Sequence, residues 1–195
     1  AALRGAEAVP AETLDERVDA AARALRRGAE CVYLYWGEID HAGHAAGWTS
    51  GEWVAELESF DSAVASLARS VPRGTLIVIT ADHGMVDVGT RIDLADSPRL
   101  REGADLVAGE DRAVQVYTRE PEALAARWRE ELGESALVLT ADEAVATGVF
   151  GPVGDFARSV MGDVVSFQRG DCAVFDSRGR TSPPMRGVHG SLTSV

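Results

Sequence analysis

Cysteine is nearly absent from this 195-residue chain: Cys31 and Cys172 stand alone, each inside an apolar run, CVYLYW and CAVF. Thiols in such settings are expected to be buried and free, so no disulfide framework is expected and a reducing, cytoplasmic interior suits the chain. Also missing is any apolar stretch approaching the roughly 20 residues of a membrane span. The N-terminal stretch up to Arg27 is amphipathic and charged, unlike a targeting signal. No membrane partner is expected. Positive charge is scarce: 19 Lys and Arg stand against 31 Asp and Glu, a formal net charge of -12. That balance argues against a sequence-independent grip on a nucleic acid duplex or an anionic membrane. An anionic substrate would need a metal to offset the field locally. What is present is ordinary for a globular protein, 46% hydrophobic and 26% charged residues, with enough length for one sizeable core.

Thr13 and Glu16 have capping-box spacing, and Leu14, Val18, Ala21, Ala22 and Leu25 follow at helical intervals, so a first helix is expected to run to about Arg27 and stop at Gly28. Cys31 to Trp36 is apolar throughout and rich in β-formers, as a strand buried on both faces would be. A second capping box, Thr49 to Glu52, opens a longer helix whose stripe Trp53, Leu57, Phe60, Val64 and Leu67 is expected to be core. Pro72 to Gly74 makes a turn into a second apolar strand, Thr75 to Thr80. Strand, helix, strand in this order predicts a right-handed βαβ unit in a parallel sheet.

Beyond about residue 90 the elements shorten: a strand over 113–118, a helix from Pro121 to Leu132 and a strand over 136–139. These suggest a small α+β insertion over 91–159. Strands near 163–168 and 172–175 are expected to return to the main sheet before the loop 181–190. The fold class is therefore α/β, a mostly parallel sheet flanked by helices, with residues 1–90 and 160–195 as its core.

In parallel α/β sheets, ligands bind beyond the carboxyl ends of the strands. After the first strand comes the loop Glu38-Ile-Asp40-His-Ala-Gly-His44; after the second comes Ala81-Asp82-His83-Gly84. Carboxylate oxygen and neutral imidazole nitrogen together suit zinc, manganese or iron, zinc first on ligand type. A solvated turn acid beside a surface histidine explains most such pairs singly. Their joint appearance at the ends of two adjacent strands favours ligands. Spacing does not recruit His189, in a Pro/Gly-rich loop.

At these residues the chain resembles the alkaline phosphatase superfamily, nearest its type I phosphodiesterase/nucleotide pyrophosphatase branch. Tyr35 to Gly47 is similar to the Glu-x-x-Asp-x-x-Gly-His-x-x-Gly motif, Asp82-His83-Gly84-Met85 to the Asp-His-Gly-Met loop, and Gly187-Val-His189-Gly190 to the late His-Gly loop. The resemblance implies an alkaline phosphatase-like core and two divalent metal ions, zinc first and manganese next. It assigns Asp40, His44 and His189 to one ion and Asp82 and His83 to the other. The implied activity is hydrolysis of a small phosphate ester or nucleotide. The Gly-Met after His83 leans toward phosphodiesterases; a phosphatase or phosphomutase of the superfamily, or a non-catalytic metal-binding or interaction domain, are the alternatives.

The resemblance also implies a further Asp ligand and a Ser or Thr nucleophile upstream of Asp40. Only Thr13 among the preceding residues carries a hydroxyl of that kind, in a helix-cap context. The chain therefore reads as a C-terminal portion, incomplete in its sheet and inactive alone, with a missing N-terminal fragment or self-association expected. Glu38 is either an orienting carboxylate or a solvated acid, and Arg186 either steers an anion or is a plain surface charge. Trp36 and Trp48 either flank a base or pack against the sheet edge. His41, next to Asp40, is not expected to be a ligand.

Overall fold

Thr13 caps the first helix, α1 (Leu14–Arg26), as its spacing predicts: its hydroxyl accepts from Glu16 N at 3.2 Å while the Glu16 carboxylate accepts from Thr13 N at 3.1 Å. Leu14, Val18, Ala21 and Ala22 are its buried stripe. Gly28, at φ +98°, adopts the left-handed backbone that ends the helix. The computed structural model describes residues 3–179 and 184–192, so part of the 181–190 loop lies outside the described residues. The chain divides into two units, Ala1–Asp82 and His83–Val195.

In the first unit, the segment expected as a loop after Gly37 is instead a helix, α2 (Glu38–Ala46). Two acidic residues, Glu38 and Asp40, sit in its first turn, where the helix dipole favours negative charge. Then comes α3 (Gly51–Ser70). Its cap is Ser50, whose hydroxyl accepts from Trp53 N at 3.1 Å, and not the expected Thr49. Arg26 Nη1 donates to Ser70 O at 2.7 Å, a cation on the last carbonyls of α3.

α1, α3 and the segment 31–36 share a thin core of Leu14, Val18 and Ala63, with Leu34, Trp36, Phe60 and Leu67 packed against it. The stripe of α3 is accordingly only part buried, and Leu57 is exposed. Cys31 is exposed too, against the expectation of a buried thiol. Among the described residues neither 31–36 nor 75–80 joins a β ladder, so the parallel pairing expected of a βαβ unit is not formed there.

The second unit opens with β1 (Val86–Asp87), β2 (Thr90–Asp93), α4 (Pro98–Arg101), β3 (Leu106–Glu110) and β4 (Ala113–Tyr117). It continues through α5 (Pro121–Leu132), β5 (Ala136–Thr140), α6 (Ala141–Thr147) and α7 (Asp155–Val160), and ends with β6 (Val164–Gln168), β7 (Cys172–Phe175) and β8 (Gly187–Val188). A four-stranded antiparallel sheet runs β3-β4-β6-β5. Against it packs α5, whose Trp128 is fully buried among Leu94, Leu100, Val116, Leu124 and Val164.

The last strands do not return together to one sheet. β6 lies between β4 and β5, while β7 pairs in parallel with β2, Thr90 opposite Cys172. Arg112 ties this region together: its buried guanidinium donates to the carbonyls of Gly170 at 2.7 Å and Cys172 at 2.9 Å. Burial holds its pKa below the usual arginine range and pushes the Cys172 thiol up.

Candidate metal centre

Each unit carries part of the expected ligand set. In the first, Asp40 and His44 are four residues apart on α2, a spacing that puts two side chains on one face of a helix. His44 Nε2 lies 3.3 Å from Asp40 Oδ2. The other carboxylate oxygen, Oδ1, is buried with no hydrogen-bond partner among the described residues. A buried carboxylate oxygen left this way is costly unless something positive completes it. The donor set therefore fits a divalent cation, which takes carboxylate oxygen and imidazole nitrogen together.

In the second unit the two-residue ladder of β1 and β8 pairs Val86 with Val188 and Asp87 with Gly187. It draws the residues flanking each strand together, and the rings of His83 and His189 stack with centroids 3.7 Å apart and planes 20° from parallel. Gly190 follows His189 in a conformation that favours glycine. Its φ is +109°, and a Cβ there would sit 2.9 Å from Glu110 Cβ. His83 Nδ1 lies 3.0 Å from the Gly84 carbonyl. With the proton on Nδ1 and donated to that oxygen, Nε2 keeps the lone pair a metal needs. Asp82 is exposed, one residue before His83, at the end of the first unit.

The remaining residues resolve toward their plainer readings. Glu38 turns to His41, whose Nδ1 lies 3.3 Å from its carboxylate, both exposed. Arg186 lies 3.9 Å from Asp87 beside the β1–β8 ladder, a surface ion pair. Trp36 packs in the thin core with the Arg17 guanidinium 5.1 Å above its ring. Sequence reasoning missed Gly190 as a conformationally special residue, although a glycine directly after a candidate ligand histidine was the available signal.

Solved structures share the alkaline phosphatase-like α/β fold of this chain. Human ectonucleotide pyrophosphatase/phosphodiesterase 5 is 15% identical, with a TM-score of 0.72, over 94% of this chain and 50% of its own. The murine protein in an inactive form with AMP is 16% identical, with a TM-score of 0.69 over the same shares. Phosphonoacetate hydrolase from Sinorhizobium meliloti, in complex with phosphonoformate, is 20% identical, with a TM-score of 0.66, over 92% of this chain and 47% of its own. The chain thus spans about half the length of these relatives. The family model for type I phosphodiesterase/nucleotide pyrophosphatase matches residues 5–192, and the chain belongs to that family. No curated protein matches it.

Proposed function

We propose that this chain is the metal-binding part of a metal-dependent phosphoric ester hydrolase acting on small phosphate esters or nucleotides. In this reading Asp40, His44 and His189 hold one divalent ion and Asp82 and His83 a second. Zinc is the better match to the donor atoms and manganese the next. The observation that carries the reading is Asp40 Oδ1, buried without a partner one helical turn from His44. Family membership and the AMP complex of the murine relative support a nucleotide or phosphodiester substrate.

Bound divalent ions supply Lewis-acid stabilisation of phosphoryl oxygens and of the attacking and leaving oxygens. The chain's own residues do the positioning. Helix α2 presents Asp40 and His44 on one face, and the bond from His83 Nδ1 to Gly84 orients that ring. The β1–β8 ladder sets the ring of His189 beside it. The Thr13 hydroxyl is engaged as a helix cap. The nucleophile in this reading therefore comes from polypeptide beyond residues 1–195, and the chain alone turns over little or no substrate.

Elemental analysis of the purified chain after exposure to zinc tests the proposal. About one equivalent or more is expected, falling in both Asp40→Ala and His189→Ala. A folded chain that takes up no metal overturns the reading and favours a non-catalytic interaction domain. Hydrolysis of bis(4-nitrophenyl) phosphate at the rate of an intact phosphodiesterase overturns the placement of the nucleophile elsewhere.

A further inference from the structure

His189 is held from two sides. On one side its neighbour Val188 pairs with Val86 in the β1–β8 ladder. On the other, two residues further on, the half-buried Ser191 donates its hydroxyl to the carbonyl of Gln168 at 2.5 Å. Gln168 closes β6 and is fully buried. Its N–H donates to Arg112 O at 2.9 Å, and its side-chain Nε2 lies 3.0 Å from Ser166 Oγ. The buried Arg112 guanidinium, already bonded to the carbonyls of Gly170 and Cys172, also brings Nη2 to 3.3 Å from Gln168 O. A buried carbonyl that accepts from a cation and a hydroxyl together is a firm anchor, because shifting any of these groups strands polar atoms away from water.

Gly190 stands between the histidine and this anchor, at φ +109°. Glycine moves through more of backbone space than any other residue, so the ladder at Val188 passes little restraint beyond it. The course of the chain past His189 has to be fixed by a contact on the far side of the glycine, and Ser191 makes that contact. We propose that Ser191 is a positioning residue for His189. Its bond to Gln168 O, braced from beneath by Arg112, holds the loop so that the imidazole stays stacked on His83 and ligates without first being ordered. Ser191 acts through His189 and is itself neither ligand nor nucleophile. The inference rests on the proposed function for its consequence, metal affinity, and on the structure alone for its geometry.

The test uses the full chain carrying Ser191→Ala, and the matched pair Ser191→Thr and Ser191→Val, which share a shape and differ in the hydroxyl. Zinc affinity is read by chelator competition. In the metal-free chain, the NMR shifts of the His189 ring protons report the stack, since the His83 ring displaces them; His83→Ala calibrates that displacement. Ser191→Ala and Ser191→Val are expected to weaken zinc binding by about 2- to 13-fold, the range spanned by one neutral hydrogen bond. Both are expected to move the ring protons toward their positions in His83→Ala, while Ser191→Thr matches the parent. Thr147→Ala removes a hydroxyl donated to the Ala144 carbonyl and is the control for lost stability, with affinity and ring shifts expected to stay at parental values. Equal losses in Ser191→Thr and Ser191→Val overturn the proposal. If His189→Ala abolishes zinc binding, parental affinity or parental ring shifts in Ser191→Ala overturn it too and leave the metal reading standing. If His189→Ala leaves zinc binding intact, the metal reading falls instead, and the ring shifts alone decide whether Ser191 sets the histidine.

Discussion

Replacing Gly190 with alanine separates the geometry of His189 from its chemistry. At φ +109° an alanine sits in a backbone region that L residues rarely adopt. Such strain costs about 1–3 kcal/mol. The added Cβ would also meet Glu110 Cβ at 2.9 Å and Cγ at 3.2 Å, so the hairpin residue has to give way. If the strain is relieved by moving the neighbouring His189, about 1–3 kcal/mol appears as a 5- to 150-fold loss of zinc affinity. If it is retained, the same cost appears as lost stability with affinity intact. Competition titration with a chromogenic chelator reads the first, and urea unfolding of the metal-free chain reads the second. Glu110→Ala combined with Gly190→Ala is expected to recover little, because the Cβ contact persists and the backbone strain is untouched. The reasoning is refuted if Gly190→Ala changes neither quantity while His189→Ala abolishes zinc binding.

Three other outcomes follow from the same structure. Zinc at 100 times its dissociation constant is expected to stabilise the chain by about 2.7 kcal/mol in thermal unfolding, and Asp40→Asn to remove that gain. Donation from Thr140 N at 2.8 Å, and then pairing with Arg129, lowers the pKa of Glu143 below its ordinary 4.5. A carboxylate depressed in the folded state contributes stability that is full above the unfolded pKa and is lost as pH falls through the folded one. Melting temperature should therefore fall on acidification below about pH 4.5 less steeply in Glu143→Gln than in the parent. Trp128→Phe removes the buried indole donor to Leu100 O at 2.8 Å and should cost about 1–3 kcal/mol in urea unfolding.

Legibility in the sequence followed the range of the interactions. The capping box of Thr13 and the stripe of α1 are local, and both appear as the spacing predicts. So does the Gly28 stop, and so do the strand at 113–117 and the helix from Pro121. The stretch 38–44 reads as a loop because it follows an apolar run whose end Gly37 marks. Nine residues sufficed for a helix once its acidic first turn met the dipole. Thr49 and Ser50 both offer a capping oxygen, and only the path of the chain decides between them. Ladder partners are non-local. The pairing of β2 with β7, and the two-residue ladder of β1 and β8, leave no periodic trace in sequences so short. Asp40 and His44 were legible as a pair from their place after an apolar run and from the family motif; the stacking of His83 on His189 was not, since it depends on that ladder.

The brevity of the β1–β8 ladder has a kinetic consequence. Two ladder pairs, with Val88 N donating to Arg186 O at 2.9 Å and Arg91 Nη2 to Met185 O at 2.8 Å, hold the segment that bears His189 against the strands that follow His83. Such a clasp belongs to the low-free-energy end of local opening, far below the cost of disrupting the Trp128 core. An ion held by either imidazole would then exchange at the pace of the clasp. Its release would be fast, almost independent of denaturant, and unrelated to the rate at which the protein unfolds.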